Sequence, residues 1–121
     1  MKLIIKDKRY HKEDPYVKRS IDRAVKKLLD RYQQYQLQNK TIDTVFNDDI
    51  LIHDRLSGLF VYKCSINGMQ FRLLYTIRNN KLLLISYYIK KKHSKEWIPF
   101  FEKVSKEYTE DLCEEEVCIN G

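Results

Sequence analysis

The chain has 121 residues, 43% of them hydrophobic and 33% charged, with a formal net charge of +6. That length gives one domain with a real core and leaves no room for two ordinary ones. The basic balance, with a pI near 9.2, predicts attraction to polyanions such as nucleic acid or an acidic membrane surface, without choosing between them. Cys64, Cys113 and Cys118 are an odd, unpatterned set. They read as reduced thiols of a cytoplasmic protein rather than a disulfide framework, and no Cys or His pair stands near Cys113 and Cys118 to complete a zinc site. The first apolar run, Leu3 to Ile5, is too short for a signal peptide, and no stretch approaches a membrane span.

In chain order, residues 2 to 6 are a candidate short first strand. Asp14-Pro15 reads as a helix start, because Asp14 can cap free backbone N–H groups and Pro15 loses nothing at the first helical position. Val17, Ile21, Ala24, Val25, Leu28, Tyr32 and Tyr35 then recur at spacings of three and four. They predict one face of a long amphipathic helix running to about Gln38. Residues 41 to 58 fit either a short second helix or an irregular connector.

Leu59 to Ile66 is rich in β-formers and is followed by Asn67-Gly68, the strongest two-residue hairpin signal. Gln70 to Ile77 makes the return strand, and Asn79-Asn80 marks another turn. Leu82 to Ile89 is a nearly continuous apolar run, as expected of a strand buried on both faces. Trp97, Phe100, Phe101, Val104 and Tyr108 recur at helical spacing. The predicted class is therefore α+β: a small antiparallel meander packed against a long N-terminal helix and a C-terminal helix. Residues 1–108 form one domain and residues 109–121 an acidic tail. That tail could pack near the basic sheet, help bind a partner, or be a plain disordered end.

Charge is unevenly placed. Residues 63 to 95 hold 8 basic residues and no acid, whereas residues 96 to 121 hold 2 basic and 8 acidic residues. Sheets usually mix signs to relieve repulsion, so an unmixed patch asks for a functional reason. A two-residue turn at Asn67-Gly68 sets Lys63 opposite Arg72, both pointing to one face, where an anion between them would relieve the repulsion. Splaying into solvent would relieve it too. Phe60, Tyr62 and Cys64 then face the core with Phe71, Leu73 and Tyr75. A three-residue turn at Asn79 to Lys81 pairs Arg72 with Tyr88, and a two-residue turn pairs it with Tyr87. One slip swaps the faces, and we take Tyr88 for the site.

The run from Asn67 through Gly68, Met69, Gln70, Phe71, Arg72, Leu73 and Leu74 to Tyr75, and the later run from Leu82 to His93, resemble the RelE/ParE toxin superfamily, particularly its RelE and HigB branches. The shared pattern is an aromatic-Arg-aliphatic-aliphatic-Tyr strand followed by an apolar strand ending in a basic cluster. It covers roughly residues 59 to 105, and the acidic tail lies outside it. The resemblance implies a toxin neutralised by a cognate antitoxin. It further implies a cytoplasmic endoribonuclease without metal or other cofactor that works at the ribosome, where the 2′-OH of mRNA attacks the adjacent phosphate. That reaction needs a base for the 2′-OH, stabilisation of the charged phosphorane, and an acid for the leaving 5′-oxygen.

Carried over by position, Arg72 would hold the scissile phosphate, and Lys63 would stabilise it or serve as base. Lys91 and His93 complete the implied catalytic set, His93 as acid or base by the ordinary range of imidazole. It sits slightly beyond the place where histidine-using members carry theirs. Arg78, Tyr88, Lys90 and Lys92 would bind RNA. Trp97 could stack on a base, although packing in the core suits its place on the last helix. His11 and His53 read as ordinary surface residues. The basic surface of the first helix could meet ribosomal RNA, or simply be solvated.

Two other readings stay open. A ParE-like relative would share the fold and block DNA gyrase without cleaving anything. A non-catalytic RNA-binding module would need the cations but no general base. A conventional metallonuclease is disfavoured, because the cationic face offers no carboxylate cluster for Mg²⁺.

Overall fold

The computed structural model describes residues 2–37, 59–90 and 96–107. Strand β1 spans Lys2–Ile5, a 3-10 turn spans Lys8–Lys12, and helix α1 spans Pro15–Leu37. Strands β2 (Phe60–Ile66), β3 (Met69–Arg78) and β4 (Lys81–Lys90) follow, then helix α2 (Trp97–Glu107). The segment 41–58 and the acidic tail lie outside the described residues, and so do the expectations placed on them.

The four strands form one sheet in the order β1-β4-β3-β2. β2, β3 and β4 are the expected meander. β1 joins at the outer edge of β4 and runs parallel to it, with Leu3 beside Leu82 and Ile5 beside Leu84. The sheet is therefore mixed. The two faces are covered by different helices, so the described residues form three layers with two cores.

Helix α1 starts as its sequence dictates. Asp14 Oδ1 accepts from Val17 N–H at 3.0 Å, and Pro15 is the first helical residue. Ile21, Ala24, Val25, Leu28 and Tyr32 are buried against Phe71, Leu73, Tyr75, Leu82, Leu84 and Tyr87 on one sheet face. Phe60, Tyr62 and Cys64 pack against the same core, as the alternation in β2 predicts. Each fully buried aliphatic side chain there contributes about 1.5–3 kcal/mol through the apolar area it removes from water. Helix α2 covers the other face: Trp97 and Phe101 pack with Val61, Leu74 and Ile85. Burial from both sides explains why β4 reads as a continuous apolar run, since Leu82 through Tyr87 are all buried.

Both hairpin turns are built on left-handed backbone. Asn67 and Gly68 have φ of 51° and 80°, and Asn79 and Asn80 have φ of 50° and 58°. These are the positive angles that a two-residue turn needs to match the strand twist. The second turn closes on Arg78 and Lys81, so it has two residues. On that basis alone Arg72 would face Tyr87. The register instead shifts between Leu74 and Tyr75: Tyr75 pairs with Leu84 while Leu74 pairs with Ser86, and Ile85 is the extra residue. This bulge turns the odd residues of β4 after Ile85 toward α1 and puts Tyr88 opposite Arg72.

The bulge is locked from outside. β1 ends at Ile5, and Lys6 N–H makes a last ladder bond to the Leu84 carbonyl at 2.8 Å. Beyond that point the 3-10 turn takes over. Arg9 Nη2 donates to the Tyr87 carbonyl at 2.6 Å, and Arg9 is tied to Asp7 at 2.7 Å. Ser86 donates to Asp7 Oδ2 at 3.1 Å. The Arg9 guanidinium also lies 4.4 Å from the ring centre of Tyr87 and 4.8 Å from that of Phe100, a favourable placement for a cation over aromatic rings. Tyr87 itself donates to Glu13 at 2.9 Å. It is a structural tether on the α1 side of the sheet.

Candidate functional site

The β2–β3 register places Lys63 directly opposite Arg72, and the β3–β4 register places Arg72 opposite Tyr88. Gln70 pairs with Lys90 one step further along. Because side chains two apart share a face, Lys63, Arg72, Tyr88 and Lys90 form one group on the face covered by α2. In a hairpin closed by two residues, alternate pairs lack ladder bonds and come closest. Lys63 and Arg72 are such a pair, with Cα atoms about 4.5 Å apart.

The face is not open, as a simple sheet surface would be. Arg72 is only 8% exposed. The first residue of α2, Trp97, lies over the row: Lys63 Nζ is 5.5 Å and Arg72 Cζ 5.8 Å from its ring centre. Trp97 is 6% exposed, which makes it a core residue, as its helical spacing indicated. Both cations thus lie at distances where the indole quadrupole attracts them. Lys63 remains exposed to solvent.

Arg72 is under-satisfied where it sits. Its Nη1 donates to the carbonyl of Phe71 at 3.0 Å, and its buried Nε has no hydrogen-bond partner. Among the described residues no carboxylate pairs with it. Leaving a buried donor unmade costs about 1–3 kcal/mol, more for a charged group. Burial pulls the guanidinium below its ordinary pKa, opposed only by the nearby Cys64. Among the described residues this buried cation has no counterion, which leaves it poised for an anion, and phosphate matches its planar fork of donors.

Sequence reasoning missed a neighbour of this row. Tyr88 donates from its hydroxyl to Glu96 Oε2 at 3.2 Å. Its ring rests on Phe100, with ring centres 5.5 Å apart, so the phenol is held in place. Desolvation, the bond to Glu96 and that carboxylate's charge together hold the Tyr88 phenol above its usual pKa. Glu96 is the residue immediately before Trp97 and is exposed. The only sequence signal for it was its place as the first acid after the acid-free run.

The remaining candidates fall into two groups. Lys91, Lys92 and His93 lie outside the described residues, although Lys90 delivers the chain at the Arg72 end of β4. Arg78 sits at the far end of β3, six residues from Arg72 and hence about 20 Å away along the strand. The structure does not bring it to the row. His11 is exposed and makes an edge contact with Tyr10, with ring centres 5.3 Å apart. Cys64 is a free, half-buried thiol, and burial pushes its pKa up. Among the described residues no three His, Cys, Asp or Glu side chains converge as metal ligands, and no helix is long and apolar enough to cross a membrane.

Among the described residues two clefts lie outside the row. One of about 250 Å³ runs between the 3-10 turn, the bulge and α2, lined by Asp7, Arg9, Ser86, Phe100 and Val104. The other, about 370 Å³, lies between α1 and the first hairpin and is lined by Arg23, Lys26, Lys27, Asp30 and Asn67. Neither contains Arg72. No protein-family model matches this chain, and no curated protein or solved structure matches it significantly.

Proposed function

We propose that this chain is an endoribonuclease that cuts mRNA at the ribosome, the toxin of a toxin–antitoxin pair. The observation that carries the reading is Arg72: a buried guanidinium, lacking a carboxylate partner among the described residues, directly opposite Lys63. A scissile phosphate entering beside Lys63 would supply the missing counter-charge and acceptor. The resemblance of the Arg72 strand and the Lys90–His93 run to RelE and HigB toxins agrees with this chemistry. In this reading Arg72 holds the phosphate. Lys63, open to solvent, neutralises the phosphorane or takes the 2′-OH proton as base. Lys90 and Lys92 track the RNA backbone, and Lys91 and His93 complete the catalytic set, His93 as acid or base.

The shielding of Arg72 by Trp97 favours a second reading, a module that grips RNA phosphate without cutting it. Inducible expression in bacteria, with mapping of new mRNA 5′ ends, separates the two. The endonuclease produces codon-phased cuts in translated messages. Growth arrest with intact mRNA and damaged DNA would point instead to gyrase inhibition, and intact mRNA without arrest to the binding module.

A further inference from the structure

We infer that the cleft between α1 and the first hairpin is a second phosphate-binding subsite. It takes the backbone of the RNA strand where that strand leaves the Arg72 row and passes the edge of β2. The inference rests on the reading of the row as an RNA site, and it holds whether or not the strand is cut.

The cleft has a volume of about 370 Å³. Arg23, Lys26 and Lys27 line the α1 side, and Ser65 and Asn67 the hairpin side. Asp30 is the one acid among the lining residues, so three cations against one carboxylate leave the lining at +2. Spacings of three and four put the cations on one flank of α1, where like charges repel. All three are exposed. Asp30 stands one turn further on, yet among the described residues none of the three cations is ion-paired to it. A concave wall of one sign focuses the field and draws a polyanion in.

A second observation joins the cleft to the row. β2 is the last strand of the sheet. Ile66 and Met69 flank the two-residue turn and exchange ladder bonds, so Ser65 and Lys63 turn their backbone groups away from β3. Lys27 Nζ donates to that outward Ser65 carbonyl at 3.5 Å, which holds its side chain at the edge of β2. Lys63 lies two residues back, about 7 Å along the strand. Cys64 stands between: burial raises its thiol pKa, and the charges of Lys27 and Arg72 both oppose that rise. The two cations therefore approach one thiol, Lys27 from α1 and Arg72 from β3. A strand with one phosphate at Arg72 and Lys63 has only to pass the edge of β2 to meet Lys27, then Lys26 and Arg23. This continuity selects RNA, rather than an acidic protein segment, as the occupant.

A plainer role exists for the three cations, as the solvated face of a helix that raises the affinity for any polyanion at long range. Position separates the roles. Changing Arg23, Lys26 and Lys27 together to Gln removes the cleft's charge and keeps good helix formers at exposed places. Changing Lys8, Lys12 and Arg19 together to Gln removes the same charge from exposed places outside the cleft.

The test measures binding of the full chain by fluorescence anisotropy. The probes are 2′-O-methyl RNA, whose blocked 2′-oxygen cannot attack phosphorus, of about 6 and about 15 nucleotides, and a poly-glutamate peptide. The cleft variant should lose about tenfold in affinity for the longer RNA, and its dependence of log affinity on log salt should become shallower by about 2. Its affinity for the shorter RNA and for the peptide should stay within about twofold of wild type, and so should the other variant's affinity for the longer RNA. Equal losses in the two variants, or for the two RNA lengths, would return the cations to the solvated role and overturn the subsite. A loss for the peptide as large as for RNA would overturn the assignment to RNA. A wild type that binds neither RNA overturns both the row and the cleft. A wild type that binds as expected but leaves mRNA intact in cells overturns the endonuclease reading, and the subsite stands.

Discussion

Arg72 and Tyr88 face each other across β3 and β4 because a single residue, Ile85, is extra in β4. The turn between those strands has two residues and by itself would set Arg72 against Tyr87. The bulge decides which tyrosine joins the cations and which tethers to Glu13. It also lets Ile85 and Tyr88 both contribute to the core under α2. A bulge that re-aims side chains beside a candidate site is a common use of this irregularity.

The opposition of Lys63 and Arg72 implies that the site is electrostatically strained when empty. Lys63→Glu replaces a repulsive cross-strand pair with an attractive one. It should raise stability to denaturant by up to about 1 kcal/mol, the range of exposed cross-strand charge pairs. The same variant should lose affinity for single-stranded RNA measured by fluorescence anisotropy, and the loss should shrink as salt is raised. Destabilisation with unchanged RNA affinity would argue that Lys63 is simply solvated.

Arg72 offers the sharper contrast. Its Nε is buried and unpaired, so its burial opposes folding unless an anion is bound. Arg72→Met keeps a long side chain under Trp97 and removes the dry charge. We expect a midpoint of thermal unfolding equal to or above that of wild type, together with complete loss of toxicity in cells. This is the usual trade of stability for function at an active site. If the variant unfolded more readily by 2 kcal/mol or more, Arg72 would be a structural residue and the proposed phosphate site would fall.

Two tyrosines on the α1 side tie stability to alkaline pH. Tyr10 donates to Asp22, and Tyr87 donates to Glu13 at 2.9 Å. Burial first, and then the carboxylate partner, raises the pKa of each phenol well above its ordinary value. The folded state therefore holds these protons to higher pH than the unfolded chain, whose tyrosines titrate near about 10. The stability from this difference is fully present below about pH 10 and is lost as the pH climbs toward the folded values. Urea midpoints should show no pH dependence from these groups between pH 7 and 9 and should decline above pH 10. Tyr10→Phe with Tyr87→Phe should cost about 1 kcal/mol per hydrogen bond at neutral pH and flatten the alkaline decline. An unchanged decline in the double variant would assign it to other groups.

The legible parts of the chain were those with an unambiguous local period or turn. Asn67-Gly68 fixed the first hairpin, because both positions need positive φ, and the pairing of Lys63 with Arg72 followed by counting. Asp14-Pro15 and the spacing of Ile21, Val25, Leu28 and Tyr32 marked α1 and its buried face. β4 was different. A run apolar on every residue carries no alternation, so nothing in Leu82 to Ile89 announced which face Tyr88 takes. The correct partner for Arg72 was reached through a three-residue turn that does not exist; the bulge supplies the offset instead. The parallel pairing of β1 was equally invisible, since four apolar-rich residues fit either direction. Glu96 escaped notice because its contact with Tyr88 spans eight residues and depends on where α2 lands. In the sequence it heads the acidic end rather than standing beside the cations.

The two turns make a matched test of what the left-handed backbone contributes. Gly68 has φ of 80°, and a β-carbon added there would meet nothing within 4 Å. Any loss on Gly68→Ala therefore comes from the backbone angle alone. Left-handed geometry costs a residue with a β-carbon about 1–2 kcal/mol relative to glycine, so Gly68→Ala should lower stability by about that much. Asn80 has φ of 58° and already bears part of this strain, because asparagine tolerates the region better than most residues but less well than glycine. Asn80→Gly should therefore stabilise the second hairpin by a few tenths of a kcal/mol, which chemical denaturation in parallel with wild type can resolve. The first change should also weaken the site, since Lys63 and Arg72 are held in register by the turn that Gly68 closes. Reduced RNA affinity in Gly68→Ala, with unaltered affinity in Asn80→Gly, is the expected pattern. The reverse pattern would mean that the far turn, close to Arg78, governs binding, and that the RNA lies along the opposite end of the sheet.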